Sequence, residues 1–368
     1  MGSDAGATTN DAGAGAFLPG NPKGHCSIPA AAQAEDVSNP TIVVGDGTPA
    51  SCTSAAVVTA VHGGGVVTFN CGSDPVTIVV PEIFIMNNGG TTKDGSVTID
   101  GGGKVTLSGG GANRILHQDT CDQSLVWTSP YCNNQDTPHL VVQNITLTNA
   151  SGAAQESGGV LGGGAIYVGG GTFKAVNVII TDSAQVNAAN VNVQDLAGGA
   201  IYTTNMFDKA TANSMFTSPA TPTYIVSSTF QNDTGINGGA LGSIGTSYTI
   251  LNSLFSGNSA TGHGENPARS GTNGGGLGGA IYNDGNDYTL SVCGSDFENN
   301  AANELGSGSI FQVVDNLNGV LTIDQSTFTG NSDNGDVQKS ANHPSIYVQA
   351  KSATDGTSGV TITNTTFN

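Results

Sequence analysis

The sequence repeats itself, and the repeat decides what the chain can fold into. The pentapeptide GGAIY occurs at Gly163–Tyr167, Gly198–Tyr202 and Gly278–Tyr282, with weaker copies at Gly238–Gly242 (GGALG), Gly306–Phe311 (GSGSIF) and His343–Tyr347 (HPSIY). Between the copies lies an alternating run that ends in an aromatic or aliphatic residue with Asn close behind. It reads VVQNITLTNAS from Val141, VNVIITDSA from Val176, YIVSSTFQND from Tyr224, YTILNSLFSGNSA from Tyr248, YTLSVCGSDFENNAA from Tyr288, VLTIDQSTFTGNSD from Val320 and VTITNTTFN from Val360. Alternation with period two, bounded by turn residues, reads as short strands.

Each repeat offers two or three strands of roughly 3 to 6 residues, too few to bury their own inward side chains. Stacking solves the problem. In a parallel β-solenoid every strand pairs with its equivalent one coil away, at about 4.8 Å. The expected fold class is therefore all-β, a parallel β-helix. Ile166, Ile201, Leu241, Ile281 and Ile310 form its aliphatic ladder, and Phe230, Phe255, Phe297 and Phe328 its aromatic one. The Asn residues fall in tight turns, where an amide bonds its neighbours along the stack. The paired glycines before Ala-Ile serve a turn with positive φ or a close approach of coils.

Spacings longer than a minimal coil mark insertions at the corners: Ala184 to Ala197, Thr203 to Thr223, Ser259 to Leu277 and Ser332 to Asn342. Rigid scaffolds carry function on such loops. Upstream, Ser51 or Thr53 caps a short helix running through Val61 and ending at Gly63-Gly64-Gly65. This helix is the expected cover for the open end of the solenoid. Residues 1–40 read as a flexible tether and lead-in, and residues 41–368 as one β-helix domain. Within that domain, 41–138 form the cap and first coils and 139–368 the GGAIY and F-x-x-N repeats.

Composition excludes several classes. Lys and Arg number 9 against 28 Asp and Glu, a formal net charge of -19, so nucleic acid and anionic membranes are poor partners. No apolar window reaches the length of about 18 residues that a membrane-spanning helix needs. Glycine numbers 55 without a Gly-X-Y period, which removes collagen and agrees with a turn-rich chain. Six cysteines point to an oxidising compartment. Two disulfides are expected, Cys121–Cys132 around the loop CDQSLVWTSPYC and Cys52–Cys71 around the helix and following strand. Cys26 competes for Cys52 or Cys71, and Cys293, inside an apolar strand pattern, reads as a buried free thiol. Met1–Gly15 lacks the features of a signal peptide; it reads as an ordinary flexible terminus or as the tether of a lipid-anchored protein.

The GGAIY signature paired with FSGN at Phe255, FENN at Phe297 and FTGN at Phe328 resembles the repeats of polymorphic outer-membrane proteins and related adhesins. The runs SCTSAAVVTAVHGGGVVTFNCG, VTIDGGGKVTLSGGGANRIL and HGENPARSGTNGGGLGGAIYNDGN are similar to secreted bacterial proteins of the pectate-lyase-like superfamily. The resemblance covers about Ile42 to the C-terminus. It implies a right-handed parallel β-helix and an extracellular or outer-surface location, and it leaves the reaction open, since that fold hosts lyases, hydrolases, epimerases and adhesins.

Polysaccharide lyases of this superfamily use a Lys or Arg to remove the proton next to a uronate carboxylate while a cation offsets its charge. Arg269, with His263 and Glu265 in the longest insertion before Tyr282, Asn283 and Asp284, is the expected counterpart. Arg269 or His263 is the candidate base and Tyr282 the candidate acid. Glu265, Asn283, Asp284, Lys209, Trp127 and Tyr131 are candidate substrate contacts. An Arg269–Glu265 pair that pins the loop is the plainer alternative. Asp284, Asp287 and Asp315, after GGAIY-type segments, are candidate Ca2+ ligands or a glycosidase carboxylate set, or else solvated turns. Arg114 and His117, beside Asp119, read as anchors of their loop. The expected activity is β-elimination of an acidic polysaccharide by a monomer; a non-catalytic adhesin and a glycoside hydrolase are the alternatives.

Overall fold

The computed structural model describes residues 17–86, 95–125, 137–153, 162–186, 196–204, 222–262, 275–285, 288–303, 307–314, 319–333, 345–349 and 359–368. Their strands form parallel sheets of 17, 8 and 6 strands. One coil shows the plan. Tyr248–Leu251 and Leu254–Ser256 lie in the first, 17-stranded sheet, Ser259–Ala260 in the third, and Ile281–Gly285 in the second, 8-stranded sheet, before Thr289–Cys293 begins the next coil. Each strand pairs in parallel with its counterpart one coil on, the arrangement of a β-solenoid.

Single left-handed residues turn the corners inside the first sheet and at its edge. Asn252 (φ 51°) separates Tyr248–Leu251 from Leu254–Ser256, and Asn299 (φ 55°) ends Asp296–Glu298. Asn tolerates this region better than other residues with a Cβ. In the GGA turn the two glycines act differently. Gly278 has φ 66°, whereas Gly279 must lack a Cβ because one would lie 2.1 Å from the Gly308 carbonyl oxygen on the next coil.

Both expected ladders are present. Ile166, Ile201, Leu241, Ile281 and Ile310 stand in register, continued by Leu116 before them and Ile346 after. The stacked rings of Phe230, Phe255, Phe297 and Phe328 have centroids 4.9, 4.8 and 4.6 Å apart, and Phe367 extends the column. Behind it stand Asn258, Asn300 and Asn331. Asn258 donates its side-chain amide to Oδ1 of Asn300 (2.9 Å), and Asn300 does the same to Asn331 (2.9 Å).

A third ladder is made of serine. Ser228, Ser253, Ser295 and Ser326 each donate Oγ–H to the carbonyl two residues earlier and accept a backbone N–H from the preceding coil. The partners in those inter-coil bonds are 50, 25, 42 and 31 residues apart in sequence, so insertions absorb the variation while the ladder keeps its geometry. The insertions begin later than the sequence pattern places them. Ala184–Val186, Thr203 and Thr204, Ser259–Ala260 and Ser332–Asp333 are still strand.

Helix α1 (Ser54–Gly63) starts at Thr53, whose Oγ1 accepts the Ala56 N–H, and ends at Gly64 with φ 67°. It packs Val57, Ala60 and Val61 into the main core beside strand Ile42–Val44, where the sequence places a cap. Cys52 and Cys71 form the expected disulfide. Cys121 is disulfide-bonded as expected, while Cys132 lies outside the described residues.

Cys293 corrects the sequence reading: it is bonded to Cys26, not a free thiol, and Cys26 does not compete for Cys52 or Cys71. Alternation along Thr289–Cys293 turns Leu290 and Val292 inward and Cys293 outward. There it meets a strap formed by residues 17–36. Asn252 Oδ1 accepts the Cys26 N–H and its Nδ2 donates to the Cys26 carbonyl, both at 2.9 Å. Gln143 makes the same double contact with Glu35, at 2.8 and 3.1 Å. The strap buries Cys26 and Ala32 against Val176, Val226 and Leu251 on the outer side of the first sheet.

Candidate functional site

The second sheet alternates between an inward aliphatic column and an outward aromatic one. In register on its outer face stand Phe84, His117, Tyr167, Tyr202, Gly242, Tyr282, Phe311 and Tyr347. Neighbouring rings lie 4.8 Å apart for Phe84 and His117, 5.0 Å for His117 and Tyr167, and 6.1 Å for Tyr167 and Tyr202. At Gly242 a Cβ would fall 2.4 Å from Cβ of Ala197, so the row is interrupted. Tyr202 and Tyr282 are buried among Ala197 and Leu277 in a cluster separate from the main core.

The first coils of this face carry a cluster of charged side chains. Glu82 enters just before strand Ile83–Phe84, and Arg114 just before strand Leu116–Asp119. Glu82 Oε1 accepts from Arg114 Nη1 at 2.5 Å and contacts His117 Nδ1 at 2.7 Å. Arg114 Nε and Nη2 donate to the carbonyls of Gly163 (2.8 Å) and Gly162 (3.1 Å), and its guanidinium carbon lies 5.7 Å from the Tyr167 ring centre. Burial alone would raise the Glu82 carboxyl, but the His117 bond and the Arg114 charge outweigh it and hold it below the usual range. An ionised carboxylate only accepts, so His117 carries hydrogen on Nδ1. Its Nε2 is buried and has no partner among the described residues. Burial holds Asp119, two residues on, above the usual carboxylate range. Burial also raises the Tyr167 hydroxyl, with the Asp119 charge adding to it.

Of the sequence-derived site, Tyr282, Asn283 and Asp284 lie within the described residues. Tyr282 and Asp284 face outward, the Tyr282 hydroxyl donating to Asp284 Oδ2 (2.9 Å) and the Gly285 N–H to Oδ1 (2.7 Å). Asn283 points into the solenoid, where it is fully buried and its Oδ1 accepts from Ser243 Oγ. The residues in register with Asp284 are Ile244 and Val313. Trp127, Tyr131, Lys209, His263, Glu265, Arg269, Asp287 and Asp315 lie outside the described residues. Among the described residues no group of three His, Cys, Asp or Glu side chains is placed to hold a metal ion.

Sequence reasoning noticed Arg114 and His117 but missed Glu82. The available signal was strand parity: if Ile83 and Leu116 both point inward, Phe84, His117 and Glu82 share the outer face. A cleft of about 170 Å³ between the strap and the first sheet is a weaker candidate. Its ammonium group, on Lys174, already donates to the Gln33 carbonyl (2.7 Å) and to Glu35 (2.5 Å).

Comparison with protein-family models, with curated proteins and with solved structures finds no match. The functional reading therefore rests on the fold and on this outer face.

Proposed function

We propose that the chain is a secreted or surface-attached carbohydrate-active protein, a right-handed parallel β-helix of the pectate-lyase-like kind. On this reading it cleaves an acidic, uronate-containing polysaccharide by β-elimination on the outer face of the second sheet. The observation that carries it is the row on that face, where half-buried Phe84 and Glu82 border the buried rings of His117 and Tyr167 and the buried guanidinium of Arg114. Aromatic rings suit the apolar faces of sugars, and elimination needs a base beside a charge that offsets the carboxylate. Disulfides fit an oxidising compartment.

A net charge of -19 opposes a polyanion unless local basic groups invert the field. Arg114 is buried and already paired with Glu82, so Arg269, His263 and Lys209 are proposed to supply that charge. Calcium at Asp284, Asp287 and Asp315 belongs to the proposal as a cofactor to be tested. No step is routed through it, because Asp284 is engaged by Tyr282 and Gly285 and flanked in register by apolar side chains.

A non-catalytic adhesin is the second reading. It is favoured by the internal engagement of Tyr282 and Asn283, and a stacked solenoid needs no reactive group to present a binding surface. The deciding experiment offers the full chain a panel of uronate polysaccharides, with and without Ca2+, and follows the ultraviolet absorbance of the unsaturated product. New reducing ends without that absorbance would indicate a glycoside hydrolase. Neither signal on any substrate would leave the adhesin.

A further inference from the structure

We propose that the strap is a mechanical shunt: tension that enters the chain ahead of Cys26 passes through the Cys26–Cys293 bond and leaves residues 27–292 unloaded. The inference rests on the surface-attached reading above for the source of that tension, while its test reads the covalent path alone, so the two fail separately.

Covalent topology comes first. The bond joins residues 267 apart in sequence. A pull applied between the N-terminal side of Cys26 and the C-terminal side of Cys293 takes the disulfide and never enters the intervening chain. That chain holds helix α1, strand Ile42–Val44 and most of the outer row on the second sheet, from Phe84 and His117 to Tyr167, Tyr202 and Tyr282. The cluster of Glu82, Arg114 and His117 is inside it as well. Phe311 and Tyr347 are the members of the row that lie beyond Cys293.

A solenoid needs such a path more than a domain with one shared core does. Each coil contacts only its neighbours, so a stack pulled at one end peels coil by coil. Without the bond, peeling would start at Ile42–Val44, which pairs with Gly65–Phe69, and would go on to Ile83–Phe84 and Leu116–Asp119. The bond instead delivers tension to Thr289–Cys293. That strand is held in register by Tyr248–Leu251 on one side and by Val320–Asp324 on the other.

The seating of the strap fits this role. Ahead of Cys26, the Gly20 N–H donates to Thr229 Oγ1 (2.8 Å), and Asn21 donates its N–H to the Asn252 carbonyl (2.8 Å) and its side-chain amide to the Gly294 carbonyl (2.9 Å). These bonds are in the path and give way first. At Cys26 the buried Asn252 holds both backbone groups, which fixes the residue over the strand that receives the pull. Past Cys26 the strap follows one register column, Cys293, Leu251, Val226, Val176 and Gln143, and so ties successive coils together. Lys174 donates to the carbonyls of Ala31 (3.3 Å) and Gln33 (2.7 Å) and to Glu35, whose backbone Gln143 grips. This half of the strap lies outside the path and keeps its bonds.

The test stretches the full chain between handles at its two ends in a single-molecule force measurement, in the wild type and in Cys26→Ser/Cys293→Ser. In the oxidised wild type, extension should come only from the residues before Cys26 and after Cys293. The double variant should release about 800 Å more contour, at roughly 3.3–3.6 Å per residue of the bypassed stretch less the loop that Cys52–Cys71 keeps closed. That release should need no more force than unravelling the residues after Cys293. If the double variant does not fold, the wild type in a dithiol reductant gives the same comparison, with about 900 Å released. Release of that length in the oxidised wild type would overturn the proposal. So would coils that hold, with the bond absent, beyond the force that unravels the residues after Cys293, since there would then be nothing to bypass. A shunt found in a chain that acts on no polysaccharide removes the carbohydrate reading and leaves this inference in place.

Discussion

The backbone N–H of Asp233 donates to Oδ1 of Asn258, one coil further along, at 3.0 Å. Asp233 thereby occupies the place in the asparagine ladder below Asn258, and its own Oδ1 accepts the Ser183 N–H at 2.9 Å. Where Asn258 donates its amide to Asn300 and to the Phe230 carbonyl, Asp233 presents a buried Oδ2 without a partner among the described residues. Burial raises its carboxyl well above the ordinary value of 3.8. A proton on Oδ2 would stand in this rung for the amide hydrogens that Asn258 donates in the next.

Asp233→Asn should therefore stabilise the protein at neutral pH by about 1–3 kcal/mol, measured by urea unfolding. The sign follows from linkage. A carboxyl raised in the folded state contributes fully below its unfolded value and loses that contribution as pH rises through the folded one. The gain from the amide should be absent in strong acid and grow toward neutrality. A destabilised variant at neutral pH would mean that Asp233 is ionised in the fold.

Glu82 should show the opposite limb. Its carboxyl is held low by His117 and Arg114 against the effect of burial, so its contribution is present above the unfolded value and lost as pH falls through the folded one. Glu82→Gln should flatten the acid side of the melting-temperature profile. An unchanged acid limb would show that the pair with Arg114 does not contribute to folding.

Phe297 lies between Phe255 and Phe328 at 4.8 and 4.6 Å. Phe297→Ala removes two stacking partners at once and opens a cavity inside a column that cannot collapse without shifting neighbouring coils. A loss of about 3–5 kcal/mol is expected from denaturant unfolding, with Phe297→Leu losing less. Equal losses for Ala and Leu would argue that ring stacking, not volume, dominates.

The Cys26–Cys293 bond ties the strap to a coil 267 residues away. Cys293→Ser should cost about 2–5 kcal/mol and make residues 17–36 cleavable by added protease, while the Asn252 and Gln143 contacts slow the release. A strap that stays protected in this variant would show that those amide bonds suffice alone.

The ladders were legible in the sequence because period-two alternation and recurring Phe and Asn fix which residues share a column. The serine ladder was in view too, in STF, SLF, SDF and STF. It is not legible there, because nothing in one repeat tells a buried hydroxyl bonded two residues back from an exposed one. Cys26–Cys293 was not legible. It depends on the path of the strap across the first sheet, set by Asn252 and Gln143 rather than by any local pattern. The pairing of Glu82 with His117 needed the register of two strands separated by 35 residues. Once that register is known, the imidazole stands out against the aromatic residues at its position in other coils.

The most direct test of the account is the time course of unsaturated product when the full chain is incubated with uronate polysaccharides. The account predicts a linear rise in ultraviolet absorbance on at least one acidic substrate. No rise on any of them, with and without Ca2+, would contradict it.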